Sequence, residues 1–291
     1  MDIQKMKFFI DLAETKNYTE TAERLFTTQS NVSKQIISLE KELDTYLFDR
    51  TRRHIELTEA GRTLLPYAHR ILEDYYALWN ATSPYRNSES SMLKIYAIPV
   101  MAQYKITGLI ADFHKKHTEI RLDIEEIESA NLMHELDEGH CDIAYARIFS
   151  LDENKYEKIT LEYDHFIAVL PKDHALANQK IIDIAQLKDE NFLQLDKSTC
   201  LLDHVCSICK KSGFLPKIGY TGTRMDNILG LVSNGMGISL MMQHAVESMH
   251  HSGIKLVPLA DNIKSELAFI RLKGIKHTKA SNLFWNEFQN L

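Results

Sequence analysis

Asn17-Tyr18-Thr19-Glu20-Thr21-Ala22-Glu23-Arg24-Leu25-Phe26-Thr27-Thr28-Gln29-Ser30-Asn31-Val32-Ser33-Lys34-Gln35 decides the reading of this chain. The stretch predicts two short helices joined by a tight turn. Asn17 can cap the first helix, with Glu20 three residues later as in a capping box. Ala22 and Leu25 give that helix a small apolar face. Phe26-Thr27 makes the turn, and Thr28 caps the next helix. Val32, Ile36, Leu39 and Leu43 then recur at steps of four, three and four, which buries one face of the second helix. Gln29, Ser30, Asn31, Ser33 and Lys34 stay off that face, near its N-terminal end. Short donors and acceptors there suit base edges and phosphates in a major groove.

Outward from this core, residues 2–16 predict a first helix with Ile3, Met6, Phe9, Ile10 and Ala13 inward. On the other side, Phe48 to Thr58 alternates and carries Arg50, Arg52 and Arg53 near a turn. That pattern predicts a wing, a small hairpin whose tip reaches phosphates or the minor groove. From residue 59 to about 82, Leu64, Ala68, Ile71, Tyr75 and Leu78 form a heptad seam, widened by Leu65, Leu72, Tyr76 and Trp79. So broad a stripe predicts a partner helix, with Leu64, Ala68, Ile71, Leu72, Tyr75 and Leu78 at the dimer contact. The alternative is a helix packed on its own C-terminal domain. Pro66 predicts a kink. Ser83 to Ser91 reads as a polar hinge.

Beyond the hinge, strands and helices alternate, which predicts a mostly parallel sheet covered by helices. Strands are expected at 93–98, 120–127, 143–145, 166–170, 192–195, 238–241 and 267–270. Helices are expected at 101–116, 131–138, 201–212 and 225–234, the last three stopping at Gly139, Gly213 and Gly235.

Composition sets outer bounds. The chain has 291 residues, 44% hydrophobic and 25% charged, as in ordinary globular proteins. No apolar run approaches a membrane span and no signal peptide is read, so a cytoplasmic location and reduced thiols are expected. The net charge of −6 does not advertise a nucleic-acid binder. Over residues 1–58, nine Lys and Arg stand against ten Asp and Glu. Residues 27–39 nevertheless hold Lys34 and no acid, so binding should depend on the local field.

Taken together, the motifs resemble the LysR-type transcriptional regulators of bacteria. They include Tyr18-Thr19-x-x-Ala22-x-x-Leu25, Gln29-x-x-Val32-Ser33-Lys34-Gln35-Ile36, Leu39-Glu40-x-Glu42-Leu43, Leu47-Phe48-Asp49-Arg50 and Leu57-Thr58-Glu59-Ala60-Gly61. Downstream stand Leu136-x-x-Gly139-x-x-Asp142-Ile143-Ala144, Pro171-x-x-His174-Ala175-Leu176 with Ile182-x-x-x-x-Leu187, and Gly213-Phe214-x-Pro216. Ile228-Leu229-x-Leu231-Val232-x-x-Gly235-Met236-Gly237-Ile238 completes the set. Family members more often have Pro at Ser30 and Arg at Lys34.

The resemblance implies a mainly α winged helix-turn-helix domain (1–58), a linker helix and hinge for dimerisation (59–87), and an effector-binding domain (88–291). That domain is periplasmic-binding-protein-like α/β, with lobe I at about 91–163 and 266–291 and lobe II at about 164–265. The chain would cross between lobes near 162–166 and 261–266. Expected partners are an inverted-repeat DNA operator, a small-molecule effector, a second copy in a dimer or tetramer, and RNA polymerase. DNA contacts are expected from Thr28, Gln29, Ser30, Asn31, Ser33, Lys34, Arg50, Arg52 and Arg53.

In open α/β sheets, ligands sit beyond the carboxyl ends of strands. Pro99, Val100, Met101 and Gln103 after the first strand, Tyr145 and Arg147 after another, and Ser198, Thr199 and Cys200 before a helix should line the cleft. Free N–H groups at the last segment favour an anion. Arg147 reads either as a carboxylate ligand or as a surface or inter-lobe salt bridge. Ile98 and Val100, where relatives carry Ser or Thr, argue against a simple polar acid.

Of four cysteines, Cys200, Cys206 and Cys209 cluster. Cys200 to Cys209 resembles the peroxide-sensing branch of the family, although Thr199 replaces a histidine and Val100 a threonine found there. Arg271 is a candidate match for a functional arginine of that branch. If 201–209 is helical, the two cysteines lie about 13 Å apart, too far for a disulfide without unwinding. Redox, structural and metal roles remain open for these thiols, although no zinc spacing fits. A solute-binding protein lacks a reason for the winged domain. An enzyme lacks a defensible nucleophile–histidine motif, and Gly235-x-Gly237 lacks a dinucleotide context. No cofactor is implied.

Overall fold

The computed structural model describes residues 2–25, 27–49, 55–86 and 92–289. The chain forms two compact units, Met1–Thr82 and Ser83–Leu291.

In the first unit, α1 (Ile3–Thr15), α2 (Tyr18–Arg24) and α3 (Gln29–Leu43) precede a two-stranded hairpin, β1 (Phe48–Asp49) and β2 (Glu56–Leu57). The hairpin is antiparallel, with Phe48 opposite Leu57. Local chemistry sets the helix starts. Asn17 Oδ1 accepts the N–H groups of Thr19 (2.9 Å) and Glu20 (3.4 Å). The return bond of a capping box is absent in the described contacts: the Asn17 N–H donates to Thr15 Oγ1 instead. Thr28 Oγ1 accepts from the Asn31 N–H, as expected. Val32, Ile36 and Leu39 are fully buried against Phe9, Leu12 and Leu47.

Next, α4 (Glu59–Arg86) runs past the expected hinge start at Ser83, and Pro66 and Pro84 do not end it. The seam read from its sequence divides. Ala68 is buried in the first unit's own core, with Leu64, Leu65 and Leu72 packed beside it. Tyr67, Ile71, Tyr75 and Leu78 are exposed. At 100° per residue these four fall within an arc of about 80°, next to the buried stripe. Ala68 is therefore withdrawn from the expected dimer contact, because the winged unit's own core covers it, while Leu64 and Leu72 beside it stay half-buried.

The second unit contains β3 (Met92–Ala97), α5 (Ile106–Lys116), β4 (Arg121–Glu126), α6 (Ser129–Asp137), β5 (Ile143–Ile148) and β6 (Tyr156–Pro171). These are followed by β7 (Asn191–Leu195), α7 (Leu201–Lys211), β8 (Lys217–Gly222), α8 (Met225–Ser233), β9 (Ser239–Met242) and α9 (Gln243–Glu247). Last come β10 (Ile254–Pro258), β11 (Lys264–Leu272) and α10 (Lys279–Phe288). The main sheet has the order β10-β6-β11-β5-β3-β4, with β9 also on β6 and β7 paired to β8.

A mostly parallel sheet was the expectation, and the structure is mixed. β3 runs parallel to β4 and β5, and β7 to β8. β11 is antiparallel to β5 and β6, and β6 to β9 and β10. The cause is that β6 and β11 run in opposite directions between two lobes and pair with each other. The first ten residues of β6 pair with β11, except Leu161 at a register shift, and its last six pair with β10 and β9. The helix expected from Met101 begins only at Ile106, after a left-handed Lys105.

Candidate functional site

The tip of α3 carries the expected DNA-reading residues. Thr28, Gln29, Ser30 and Lys34 are exposed, while Asn31 and Ser33 are half-buried. Asn31 is partly committed inside the domain, because its Nδ2 donates to Thr27 Oγ1 at 2.9 Å. The wing residues Arg50, Arg52 and Arg53 and the turn residue Phe26 lie outside the described residues.

What positions the wing is clear from its base. Glu40 is buried, and its Oε1 accepts the N–H groups of Leu47 (2.9 Å) and Phe48 (3.2 Å). Thr58 donates its hydroxyl to the Tyr46 carbonyl at 2.7 Å, and its N–H to Leu47 O at 2.9 Å. Gly61 lets α4 approach this strap: a Cβ there would sit 2.2 Å from Leu47 O. Glu40 and Gly61 were read only as motif letters. Their positioning role shows once the 46–48 segment is placed between them.

In the second unit, the segment expected to line the cleft follows β3. Pro99 is exposed there, with Val100, Met101 and Gln103 half-buried. Tyr145 and Arg147 lie within β5, not after it. The Tyr145 ring is buried 5.7 Å from Phe269, so it belongs to the core. Its hydroxyl has no hydrogen-bond partner there, and burial pushes that phenol's pKa up.

Arg147 is 6% exposed and held by the protein itself. Nη1 donates to Ser265 Oγ at 2.7 Å and Nη2 to the Tyr104 hydroxyl at 2.5 Å. Asp164 Oδ2 is 3.7 Å from Nη1 and also accepts the Tyr104 hydroxyl. Of the two roles read from sequence, the geometry builds the inter-lobe salt bridge. Burial is also the main cause raising the Tyr104 phenol's pKa.

Ser198 and Thr199 lie in a single 3₁₀ turn, and Cys200 caps α7 in a left-handed conformation. The anion site expected here meets the protein's own acids. Asp196 Oδ1 accepts the Ser198 N–H at 3.0 Å and its hydroxyl at 2.6 Å. Asp203 occupies the first turn of α7. Burial, and next the charge of Asp196, raise the pKa of Glu128 opposite. On α7, the His204 ring stacks on Phe149 of the other lobe, centroids 3.7 Å apart.

The helix α7 is intact between Cys200 and Cys209. Burial, then Asp203, pushes up the Cys200 thiol, and burial pushes Cys209 up to about 11. Cys206 is raised for the same reasons as Cys200. Raised thiols hold little thiolate, the reactive form. No group of three or more metal-ligating side chains is found among the described residues. Nor is any described helix long and apolar enough to cross a membrane.

An exposed polar helix tip over a buried apolar stripe, followed by a two-lobed α/β unit, defines a helix-turn-helix regulator class. A family model of the LysR substrate binding domain matches residues 86–291, and one of the bacterial regulatory helix-turn-helix protein, lysR family, matches residues 3–62. The chain belongs to the LysR family of DNA-binding transcriptional regulators, with an effector-binding domain.

Among its relatives, the dual regulator OxyR of Escherichia coli K12 is 26% identical over 246 residues, spanning 84% of this chain and 80% of that one. CysL of Bacillus subtilis is 27% identical over 290 residues, 96% and 94% of the two chains. A hydrogen-peroxide-bound mutant of Corynebacterium glutamicum OxyR superposes with a TM-score of 0.59 at 21% identity, covering 99% of this chain and 92% of that one. CbnR in complex with its target DNA gives 0.55 at 20% identity, covering 100% and 99%. At these identities the solved structures speak to fold alone.

Proposed function

We propose that this regulator binds an inverted-repeat operator as a homo-oligomer and that a small molecule in the inter-lobe cleft alters its output. The single observation that carries the DNA assignment is the exposed polar tip of α3, formed by Thr28, Gln29, Ser30 and Lys34, above fully buried Val32, Ile36 and Leu39. Gln29, Ser30, Asn31, Ser33 and Lys34 read one half-site in the major groove. Thr28 and the wing residues Arg50, Arg52 and Arg53 position it on phosphates. CbnR, seen with its target DNA, supports this reading.

Tyr67, Ile71, Tyr75 and Leu78 on α4 supply the apolar face for a second copy. The division into a DNA-binding part to residue 58, a dimerising linker to 87 and an effector domain beyond is part of the same proposal. So are the lobe limits near 163/164 and 265/266. The effector lines up with Pro99, Val100, Met101 and Gln103 on one wall and Ser198, Thr199 and Cys200 on the other. We assign the chain to the cytoplasm and give it no catalytic role. His117, His140, His174 and His244 each bond a glutamate, an ion-pair arrangement and not a nucleophile–base pair.

Gel shift against the DNA upstream of its own gene tests the proposal. Gln29→Ala should relax base preference at one position, and Arg53→Ala should weaken binding to all sequences. Equal, normal binding by both variants would refute the contact assignment. A thermal-shift screen of metabolites on the full chain identifies the effector.

A further inference from the structure

Asp164 stands on β6 where that strand leaves β11 and joins β9 and β10. Asp164 itself pairs with Ser265 of β11, and Phe166 pairs with Met242 of β9. Its side chain is fully buried. Oδ2 accepts the hydroxyl of Tyr104 and lies 3.7 Å from Arg147, both residues of lobe I. Oδ1 accepts two backbone N–H groups, from His165 at 2.8 Å and from His244 at 3.2 Å. His244 lies in the first turn of α9 in lobe II. The second crossing strand joins through Ser265, which donates to the Asp164 carbonyl at 3.4 Å and accepts from Arg147.

One carboxylate thus grips both lobes and both crossing strands. A buried carboxylate is tolerable only while its partners stay in place, since losing one leaves charge uncompensated in a poorly solvating interior. Such a group favours one arrangement of its partners over all intermediate ones. We propose that Asp164 is the positioning residue that fixes the angle between the lobes, through its grip on Tyr104 and Arg147 on one side and the His244 N–H on the other. The consequence for DNA rests on the regulator reading above. The positioning role itself does not.

The test uses the full-length protein with Asp164→Asn and, because that variant removes a buried charge, also Tyr104→Phe. Hydrogen exchange followed by mass spectrometry should show at least tenfold faster exchange in peptides spanning 160–166, 243–247 and 263–268. Peptides spanning 93–97 and 191–195 should keep wild-type rates. Footprinting on the DNA upstream of the gene, without added metabolite, should give both variants the same protected length, different from wild type. Wild-type exchange at the crossings would overturn the proposal. So would uniform acceleration across 92–289, which marks loss of stability alone, or wild-type footprints from both variants. If the wild type protects no duplex at all, the regulator reading fails, and the exchange measurement still decides the role of Asp164.

Discussion

The carboxylate of Glu40 accepts the Leu47 N–H at 2.9 Å from inside the first unit's core. It accepts the Phe48 N–H as well, so one buried acid ties the recognition helix to the first strand of the wing. Removing it strands two buried donors, at a cost on the order of 2–4 kcal/mol. Glu40→Ala should lower the unfolding free energy of the winged unit in urea titrations by that amount and weaken operator binding. Glu42→Ala, whose acid pairs with Lys5 at the surface, should leave the midpoint nearly unchanged.

Lys34 is a single exposed cation at the reading tip. Gel shifts of Lys34→Ala against single-base variants of the operator should show relaxed preference at one position, as a base-edge contact requires. Unchanged preference at every position would place Lys34 off the base edges.

Leu78 is 65% exposed on α4, and Ala68 is 3% exposed on the neighbouring face. Sedimentation should therefore separate the two. Leu78→Glu should shift the oligomer toward monomer without lowering the melting temperature of the winged unit. Ala68→Leu should instead overpack the core at a cost of about 1–3 kcal/mol.

Lys158 holds the Glu266 carboxyl below its ordinary range, with Thr160 assisting. A depressed carboxyl contributes stability above its unfolded pKa and loses it as pH falls through the folded value. Glu266→Gln should cost about 1 kcal/mol at pH 7, a figure already discounted for partial exposure. Thermal melts should show the gap from wild type start to close as pH falls below the ordinary glutamate range and vanish only once pH has passed the lower folded value.

Cys200, Cys206 and Cys209 all titrate above an ordinary thiol. At neutral pH they should alkylate more slowly than free cysteine. Peptide mapping after peroxide treatment should find no Cys200–Cys209 link while α7 stays folded.

Local patterns were legible where one face was apolar and a cap stood at the start. The run Val32, Ile36, Leu39 and the cap Thr28 gave the start of α3 to the residue. The first half of β6 escaped notice because its polar side chains look like loop. Glu157 and Lys158 are there to meet Arg271 and Glu266 across the strand. β8 is mostly exposed and has too little alternation to read. α10 was missed despite the cap Thr278 and the buried series Ala280, Phe284, Trp285 and Phe288.

Arg147 marks the limit for site prediction. Its partners Tyr104 and Ser265 lie 43 and 118 residues away. Nothing local distinguishes a guanidinium waiting for a ligand from one already satisfied. The acids beside the Ser198 turn pose the same problem, because Glu128 meets Asp196 only after the lobes are assembled. The heptad seam of α4 was legible as an apolar face, and Ala68 alone proved covered by the unit's own core. Periodicity shows that a face is apolar, and not whether the chain or a neighbour covers it.

β11 occupies a place inside the sheet, between β5 and β6, yet follows every other strand of that sheet in chain order. During synthesis the ribosome releases those strands first. Lobe II can close while lobe I still has a gap through its middle, so the nascent chain holds an open seam until Lys264 to Leu272 emerge. A stop before Lys264 should therefore cost the molecule an interior strand.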